Sequence, residues 1–212
     1  MSRRGADVAP TATRVRTPYA VAARRLLRDT LFDATRDELR LRSWADITMA
    51  DIARLGGVSR QTLYKEFGSR DEFAQAFVIR EGERFLEAVE HAVREHFRDP
   101  STALTAAFDV FLTTAAEDPF VRLLLSDDGT AGMLPLVTTQ GKPVVEWASE
   151  RLTNIIRSGW PQSQLDDVQL LAECLVRLAI SYVTLPKGST STTAAAVLKL
   201  LGPYIERAIV SV

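Results

Sequence analysis

The 212-residue sequence contains one cysteine, Cys174, and two histidines, His91 and His96. A single cysteine cannot form an internal disulfide, so we expect a reducing, cytoplasmic compartment. The histidines are five residues apart, about 140° around a helix, and so cannot bind one metal ion from the same face. The sequence therefore predicts no metal site and no bound cofactor.

Long apolar runs and catalytic motifs are missing as well. Charged residues such as Asp109, Arg122 and Arg177 interrupt every apolar region before it reaches the roughly 18 to 20 residues that a membrane-spanning helix needs. The sequence has no GxxxxGKS/T phosphate loop and no GxSxG, GxGxxG or HExxH motif. These absences argue against a membrane protein and against an enzyme.

The net charge is −1, but the charged residues are unevenly distributed along the sequence. Residues 1–70 carry 14 Lys and Arg against 8 Asp and Glu, a net charge of +6, whereas the remaining residues have a net charge of −7. Residues 1–18 mix four arginines with Gly, Pro, Ala and Thr without apolar periodicity, which is typical of a disordered basic arm. A basic N-terminal region attached to an acidic remainder favours binding of the N-terminal region to a polyanion such as DNA.

Two short helices separated by glycines are predicted within the basic N-terminal region. Thr48 and Asp51 have the spacing of a capping box, which opens a helix that Gly56–Gly57 must end within about two turns. Ser59 can cap the next helix, Arg60–Phe67. Short helices joined by a glycine turn are typical of a helix-turn-helix.

The second of these helices has a polar face suited to a DNA groove. With about 100° per residue, Gln61, Tyr64 and Lys65 lie within an arc of about 100°. This arc points away from the apolar Leu63 and Phe67. Glutamine can read adenine edges, and basic side chains can bind guanine or phosphate. The alternative is an ordinary solvated helix face, which accounts less well for the glycine turn and the basic N-terminal region.

The sequences ITMADIA at 47–53 and GVSRQTLYKEFGSRDEF at 57–73 resemble the DNA-binding signature of the tetracycline-repressor (TetR) family. The resemblance implies an all-α protein, with a three-helix helix-turn-helix domain at 19–70 and a helical effector-binding and dimerisation domain at 71–212. One departure is the charged segment Arg36–Arg42, where many members have a glycine-containing turn.

The resemblance also implies a transcriptional repressor that binds a palindromic operator as a dimer. Double-stranded DNA, a second copy of the chain and a small effector are therefore the expected partners. The residues expected to bind DNA are Thr48, Ser59, Arg60, Gln61, Thr62, Tyr64, Lys65 and Arg70. Arg70 takes the position of a basic residue that lies near phosphate in the family.

Apolar spacing predicts further helices after the signature. Their expected ranges are Ser69–Phe97, Ser101–Glu117, Phe120–Leu125, Val144–Gly159, Leu165–Leu185 and Thr192–Val210. The residues Ser126–Pro143 are rich in Gly, Pro and Thr and are predicted to form a long irregular connection, of the kind that serves as a lid or binding loop.

Apolar residues between 104 and 160 are predicted to line a pocket for an apolar effector, such as a long-chain fatty acid or related lipid. The candidates are Phe108, Phe111, Leu112, Phe120, Leu124, Met133, Trp147, Arg151, Asn154 and Ile155. Thr113, Thr114, Arg151 or Asn154 would orient a carboxylate. The alternatives are that the aromatic residues are ordinary core, and that the protein is a DNA-binding regulator without an effector.

The last two predicted helices have apolar faces that one helix pair cannot bury alone. Packing against the same helices of a second subunit would form a four-helix bundle. The candidate interface residues are Leu171, Leu175, Leu178, Tyr182, Val197, Leu201 and Tyr204. Alternatively, both faces pack on the core of their own subunit.

Overall fold

The computed structural model describes residues 19–126 and 132–210, which form nine α-helices and contain no strand. The helices are α1 Tyr19–Glu38, α2 Met49–Leu55, α3 Arg60–Phe67, α4 Arg70–Glu95, α5 Pro100–Glu117, α6 Pro119–Ser126, α7 Lys142–Gly159, α8 Leu165–Thr184 and α9 Thr190–Ile205. The described residues also contain two 3₁₀ turns, Trp44–Asp46 and Leu134–Leu136, and a π turn, Glu206–Val210. The predicted all-α architecture is confirmed. The predicted basic arm, residues 1–18, lies outside the described residues.

Local capping defines the helix-turn-helix as the sequence predicts. The Thr48 side chain accepts from the backbone N–H of Asp51, and the Asp51 carboxylate accepts from that of Thr48, which completes the capping box. Ser59 Oγ accepts from the backbone N–H of Thr62 at 3.0 Å and caps α3. Between the two helices Gly57 has φ +68°, a conformation that side chains disfavour.

Ser69 and Glu72 have the spacing of a capping box at the start of α4, but only half of the box is formed. Ser69 Oγ accepts from the backbone N–H of Glu72 at 3.1 Å and caps α4. The backbone N–H of Ser69, however, donates to the carbonyl of Phe67. The turn between α3 and α4 is therefore closed by its own backbone.

The predicted irregular connection contains more structure than expected where it is described. It includes the turn Leu134–Leu136, and α7 already begins at Lys142, with Pro143 in the first turn, where proline is tolerated. Met133 and Leu136 are both buried. Residues 127–131 of this segment lie outside the described residues.

An aromatic core joins the helix-turn-helix to the rest of the molecule. Phe67 and Phe73 meet edge to face with centroids 4.8 Å apart, and Phe32 lies 5.5 Å from both rings. The same core continues to Phe77 of α4, which contacts Phe120 of α6 at 5.2 Å. We call helices α1 to α3 the head and the remaining helices the body. We call the aromatic core just described the head core; it extends past residue 70 into the body. A second, larger core fills the space between α4, α5, α7, α8 and α9.

Candidate functional site

The polar face of α3 is open to solvent. Leu63 and Phe67 are buried and fix the helix to the head core. Arg60, Gln61, Thr62, Tyr64 and Lys65 are all exposed. The structure therefore brings the α3 residues that the sequence selected for DNA binding together on one free surface.

Thr48 and Ser59 are also exposed, at the beginnings of α2 and α3. Thr48 Oγ1 donates to Asp51 Oδ2 at 2.6 Å, and Ser59 Oγ is 2.9 Å from Thr62 Oγ1. The hydrogen bonds from Thr48 hold the pKa of Asp51 below its usual value. Both hydroxyls therefore act first as helix caps.

Arg70 is engaged within the protein. Its Nε donates to the carbonyl of Ile47 at 3.3 Å and its Nη2 to that of Trp44 at 2.5 Å. The guanidinium also lies over the Trp44 ring, 4.2 Å from the centroid. A phosphate contact by Arg70 would have to use its remaining N–H groups or break these bonds.

An ion-pair cluster that the sequence analysis missed holds α3 against α1. Arg24 Nε donates to both carboxylate oxygens of Glu66 at 2.9 Å, and Arg28 Nη1 donates to Oε1 at 2.8 Å. Burial alone would raise the pKa of Glu66, but hydrogen bonds from Arg28 and Arg24 outweigh it and lower the pKa. Arg28 also covers the Phe67 ring. These pairs fix the orientation of α3 in the head.

The body contains an apolar cavity of about 150 Å³, lined by residues of helices α4 to α8 and by Val137. Five residues that the sequence selected for effector binding line it: Phe108, Phe111, Phe120, Leu124 and Trp147. Among the described lining residues only Glu81 and Thr184 have oxygen in their side chains. Thr184 Oγ1 donates to the carbonyl of Ile180, within its own helix. Contacts with a guest would therefore be overwhelmingly apolar.

The other five selected residues do not line this cavity. Leu112, Met133 and Ile155 are buried in the cores beside it. Asn154 is exposed, and Arg151 pairs with Glu83 and Glu90 of α4. On α7 the cavity is lined by Val144, Trp147, Ala148 and Leu152, whereas Arg151, Asn154 and Ile155 are not part of the lining.

The predicted carboxylate anchors on α5 are not at the cavity either. Thr113 Oγ1 is 3.0 Å from Thr190 Oγ1 and joins α5 to α9. Thr114 is half-buried and is not part of the cavity lining. The polar anchoring predicted from the sequence is therefore not found among the described lining residues.

Two walls of the cavity lie outside residues 104–160, the range in which the sequence predicted the pocket. Helix α4 contributes a face with the spacing 78, 82, 85 and 89, and α8 contributes a face that begins at Leu175. The apolar period of α4 was the signal that could have identified its contribution.

The predicted dimer face divides into two parts. Leu171, Leu175 and Val197 are buried in the core of their own subunit, so they are not available to a partner. Leu178, Tyr182, Leu201 and Tyr204 are half-buried. The large apolar side chains that are exposed on α8 and α9, or directly after α8, are instead Leu165 (43%), Leu170 (54%), Leu185 (76%) and Leu200 (79%).

Tyr204 is held by a polar contact as well. Its hydroxyl donates to Asp167 Oδ1 at 2.9 Å, and Arg207 lies over its ring. Burial and the hydrogen bond to Asp167 raise the pKa of Tyr204. Among the described helices, none combines the length and the apolarity needed to cross a bilayer.

An exposed polar helix on a helix-turn-helix head, joined to a helical body with an apolar cavity, is the architecture of a DNA-binding regulator. Residues 31–77 match the family described as bacterial regulatory proteins, tetR family. Residues 99–203 match the C-terminal domain of the bacterial tetracyclin repressor. The chain belongs to the TetR family of transcriptional regulators.

Individual relatives agree with this assignment. The chain is 38% identical to the HTH-type transcriptional regulator AlkX of Mycobacterium tuberculosis over 207 residues, which cover 98% of this chain and 97% of the relative. It is similar to the crystal structure of the TetR family repressor AlkX from a Dietzia species, implicated in biodegradation of n-alkanes, with a TM-score of 0.74 and 31% identity. That match covers 86% of this chain and 96% of the Dietzia chain.

The repressor QsdR of R. erythropolis shares the fold, with a TM-score of 0.57 and 19% identity over 87% of this chain and 95% of that one. The relatives are regulators, so the prediction of a DNA-binding regulator and not an enzyme is confirmed.

Proposed function

We propose that the protein is a cytoplasmic transcriptional repressor that binds a palindromic operator as a dimer and leaves it when an apolar effector occupies the cavity. The observation that carries the proposal is the apolar cavity, one wall of which belongs to the head core. Phe120 lines the cavity and also contacts Phe77, which packs with Phe32 of α1. A guest that moves Phe120 therefore acts directly on the packing of the head.

The DNA-binding surface in this proposal is the exposed face of α3. Gln61 and Arg60 are available to base edges, and Tyr64 and Lys65 to phosphate oxygens. Two such helices in a dimer read half-sites about 34 Å apart, so the operator has twofold symmetry. Rotation of one head relative to the other removes this match.

The dimer interface in this proposal is the outward face of α8 and α9. Leu170, Leu185 and Leu200 are exposed in the single chain. The same face of a second copy would cover them in a four-helix bundle. The half-buried Leu178, Tyr182, Leu201 and Tyr204 lie at the edge of this bundle, and the buried Leu171, Leu175 and Val197 support it from the core.

The effector in this proposal is an elongated apolar molecule, such as a long-chain fatty acid or a related lipid. The cavity lining is apolar, and the Dietzia relative is implicated in biodegradation of n-alkanes. An apolar cavity of about 150 Å³ accommodates a molecule the size of benzene, so a long chain must push the walls apart. A ligand that binds better to the expanded form shifts the population towards it.

The experiment uses the DNA upstream of the gene for this protein, with fluorescence anisotropy as readout. Fatty acids of graded chain length are added to the preformed complex, and fatty-acid binding is measured on the free protein. We expect binding and DNA release to rise together with chain length. Binding without DNA release contradicts the coupling, and no binding at any length supports a regulator without an effector.

A matched pair of variants on α5 separates cavity binding from surface adsorption. Ala107 lines the cavity, whereas Ala116 is exposed. Ala107→Leu fills part of the cavity and should weaken fatty-acid binding, while Ala116→Leu should leave it unchanged. Equal binding by both variants would place the fatty acid outside the cavity.

A further inference from the structure

A buried charge cluster connects the head to two walls of the cavity. Its members are Arg36 near the end of α1, Glu81 on α4 and Asp118, which precedes α6. Their side chains are 16%, 4% and 14% exposed. Arg36 Nη2 donates to Asp118 Oδ2 at 3.1 Å, and Arg36 Nη1 is paired with Glu81 Oε2. One guanidinium from the head thus binds two carboxylates of the body.

Both carboxylates are connected to the cavity wall, Glu81 directly and Asp118 through its hydrogen bonds. Glu81 lines the cavity itself. Asp118 Oδ1 accepts from the backbone N–H groups of Phe120 at 2.7 Å and Val121 at 3.3 Å, and both of these residues line the cavity. A displacement of either wall therefore pulls on a carboxylate that Arg36 holds.

A buried pair resists gradual separation. Removing one partner of a buried pair leaves the other charge poorly compensated in a poorly solvated place. Without Arg36, Glu81 would keep only Arg84, whose Nη1 lies 3.7 Å from Glu81 Oε2 and whose side chain is 53% exposed. Arg36 therefore favours either the paired arrangement or one in which the guanidinium has moved far enough to reach water. Such a contact favours a protein that changes between two distinct conformations.

We propose that Arg36 is a positioning residue that couples the cavity to the DNA-binding head. An effector that displaces Glu81 or the start of α6 breaks the pairs with Arg36 and frees α1, which carries α3 through Glu66. The proposal rests on the proposed function, because it requires that an effector enters the cavity.

Ion pairs between Arg80 of α4 and the helix α1 provide a control, and one of them joins Arg80 Nη2 to Asp33 Oδ1 at 3.8 Å. Arg80 Nε lies 3.3 Å from Asp29 Oδ1, and both side chains are about one third exposed. Neither residue lines the cavity. Loss of an exposed pair has little effect, so Arg80→Gln should retain the response to the effector.

The experiment measures a coupling factor, the ratio of operator Kd with saturating hexadecanoic acid to the Kd without it. Coupling factors of about 5 to 150 are usual for allosteric proteins. For wild type we expect a factor in this range, and for Arg36→Met a factor within about twofold of 1. In the absence of DNA, Arg36→Met should also bind hexadecanoic acid more tightly than wild type, because the ligand no longer has to break the ion pairs of Arg36 with Glu81 and Asp118. A merely structural defect would weaken that binding.

Asp118→Asn tests the same link if Arg36→Met fails to fold. Asparagine retains the capping of α6 but loses the charge that pairs with Arg36. We expect its coupling factor to fall below that of Arg80→Gln. Wild-type coupling factors in both Arg36→Met and Asp118→Asn overturn the role of Arg36 and leave the proposed function standing. If hexadecanoic acid and its shorter homologues neither bind the wild-type protein nor release its DNA, the proposed function fails and this inference with it.

Discussion

Trp147 of α7 lies directly against Gly82 of α4: a Cβ added at Gly82 would be 2.9 Å from Cζ3 of the indole ring. Both residues line the cavity. Glycine inside a helix costs about 1 kcal/mol relative to alanine, so local helix stability does not favour it here. The ring occupies the space that a side chain on α4 would need.

Gly82→Ala should therefore narrow the cavity. The gain in helix propensity of about 1 kcal/mol opposes a packing cost of about 1–3 kcal/mol, so the free energy of unfolding should change little or fall modestly. Because the ring must move, effector affinity should fall more clearly than stability. Urea unfolding and fatty-acid titration measure the two effects.

Gly159 at the end of α7 provides the matched control, because a Cβ there meets only Val93 at 4.0 Å. Gly159→Ala should leave fatty-acid affinity unchanged. Unchanged affinity in Gly82→Ala would show that Trp147 does not shape the binding site.

Arg151 joins α7 to α4 and should make stability depend on pH. Its Nε donates to Glu83 at 3.1 Å and its Nη2 to Glu90 at 2.5 Å. The hydrogen bond from Arg151 holds the pKa of Glu90 below its usual value of 4.5, against the opposing effect of burial. A depressed pKa in the folded state stabilises the protein above pH 4.5, and this stabilisation is lost as the pH falls through the folded-state pKa.

Arg151→Met should consequently lower the free energy of unfolding by about 1 kcal/mol at neutral pH, with a smaller loss in acid. Chemical unfolding at several pH values measures both. Arg177→Met removes an exposed pair with Glu173 and should have almost no effect. A deficit of Arg151→Met that stays constant from neutral pH to below the folded-state pKa would contradict the assignment.

The two polar ends of α3 should contribute differently to DNA binding. Lys65→Ala should weaken binding to all sequences and reduce the salt slope by about 1, because one phosphate contact is lost. Gln61→Ala should instead relax the preference at one base position. Salt titrations on operator and unrelated DNA distinguish these outcomes, with Lys199→Ala on α9 as control. If both head variants bind like the parent, α3 is not the reading helix.

Charges on the outward face of α8 and α9 should produce monomers. Leu170→Glu and Leu200→Glu each place a carboxylate in the proposed interface, whereas Leu41→Glu changes a leucine of the head that is at least as exposed as either. Sedimentation should show monomers for the first two and dimers for the third. A wild-type protein that is monomeric at micromolar concentration would eliminate both the interface and the palindromic operator.

The helix-turn-helix could be predicted from the sequence because its signals are local, whereas the ion pairs of Glu66 with Arg24 and Arg28, which join distant residues, could not. The box at Thr48, the turn at Gly57 and the cap at Ser59 each depend on residues within four positions, and the predicted bounds of α3 match the structure. In the body, periodicity identified the helices but not their neighbours. Leu170 and Leu171 are adjacent on α8, yet one is exposed and the other buried. Only the packing of several helices determines which of them meets a partner.

The cavity could be predicted only in part, for the same reason. A cavity depends on space left between helices that are distant in sequence, so apolar character alone selected Phe108 and Ile155 equally, although only Phe108 lines it. The charged segment that begins at Arg36 departs from the family pattern, but its sequence contains no indication that Glu81 and Asp118 are its partners.

The central claim is that DNA and an apolar effector compete through the conformation of one protein. Thermodynamic linkage requires the coupling to be reciprocal: the factor by which the effector weakens operator binding equals the factor by which the operator weakens effector binding. The direct measurement is calorimetric titration of hexadecanoic acid into the free dimer and into the dimer saturated with operator. The account predicts weaker binding to the operator complex, by the same factor as the loss of operator affinity. Equal affinity for the free and the DNA-bound protein would contradict it.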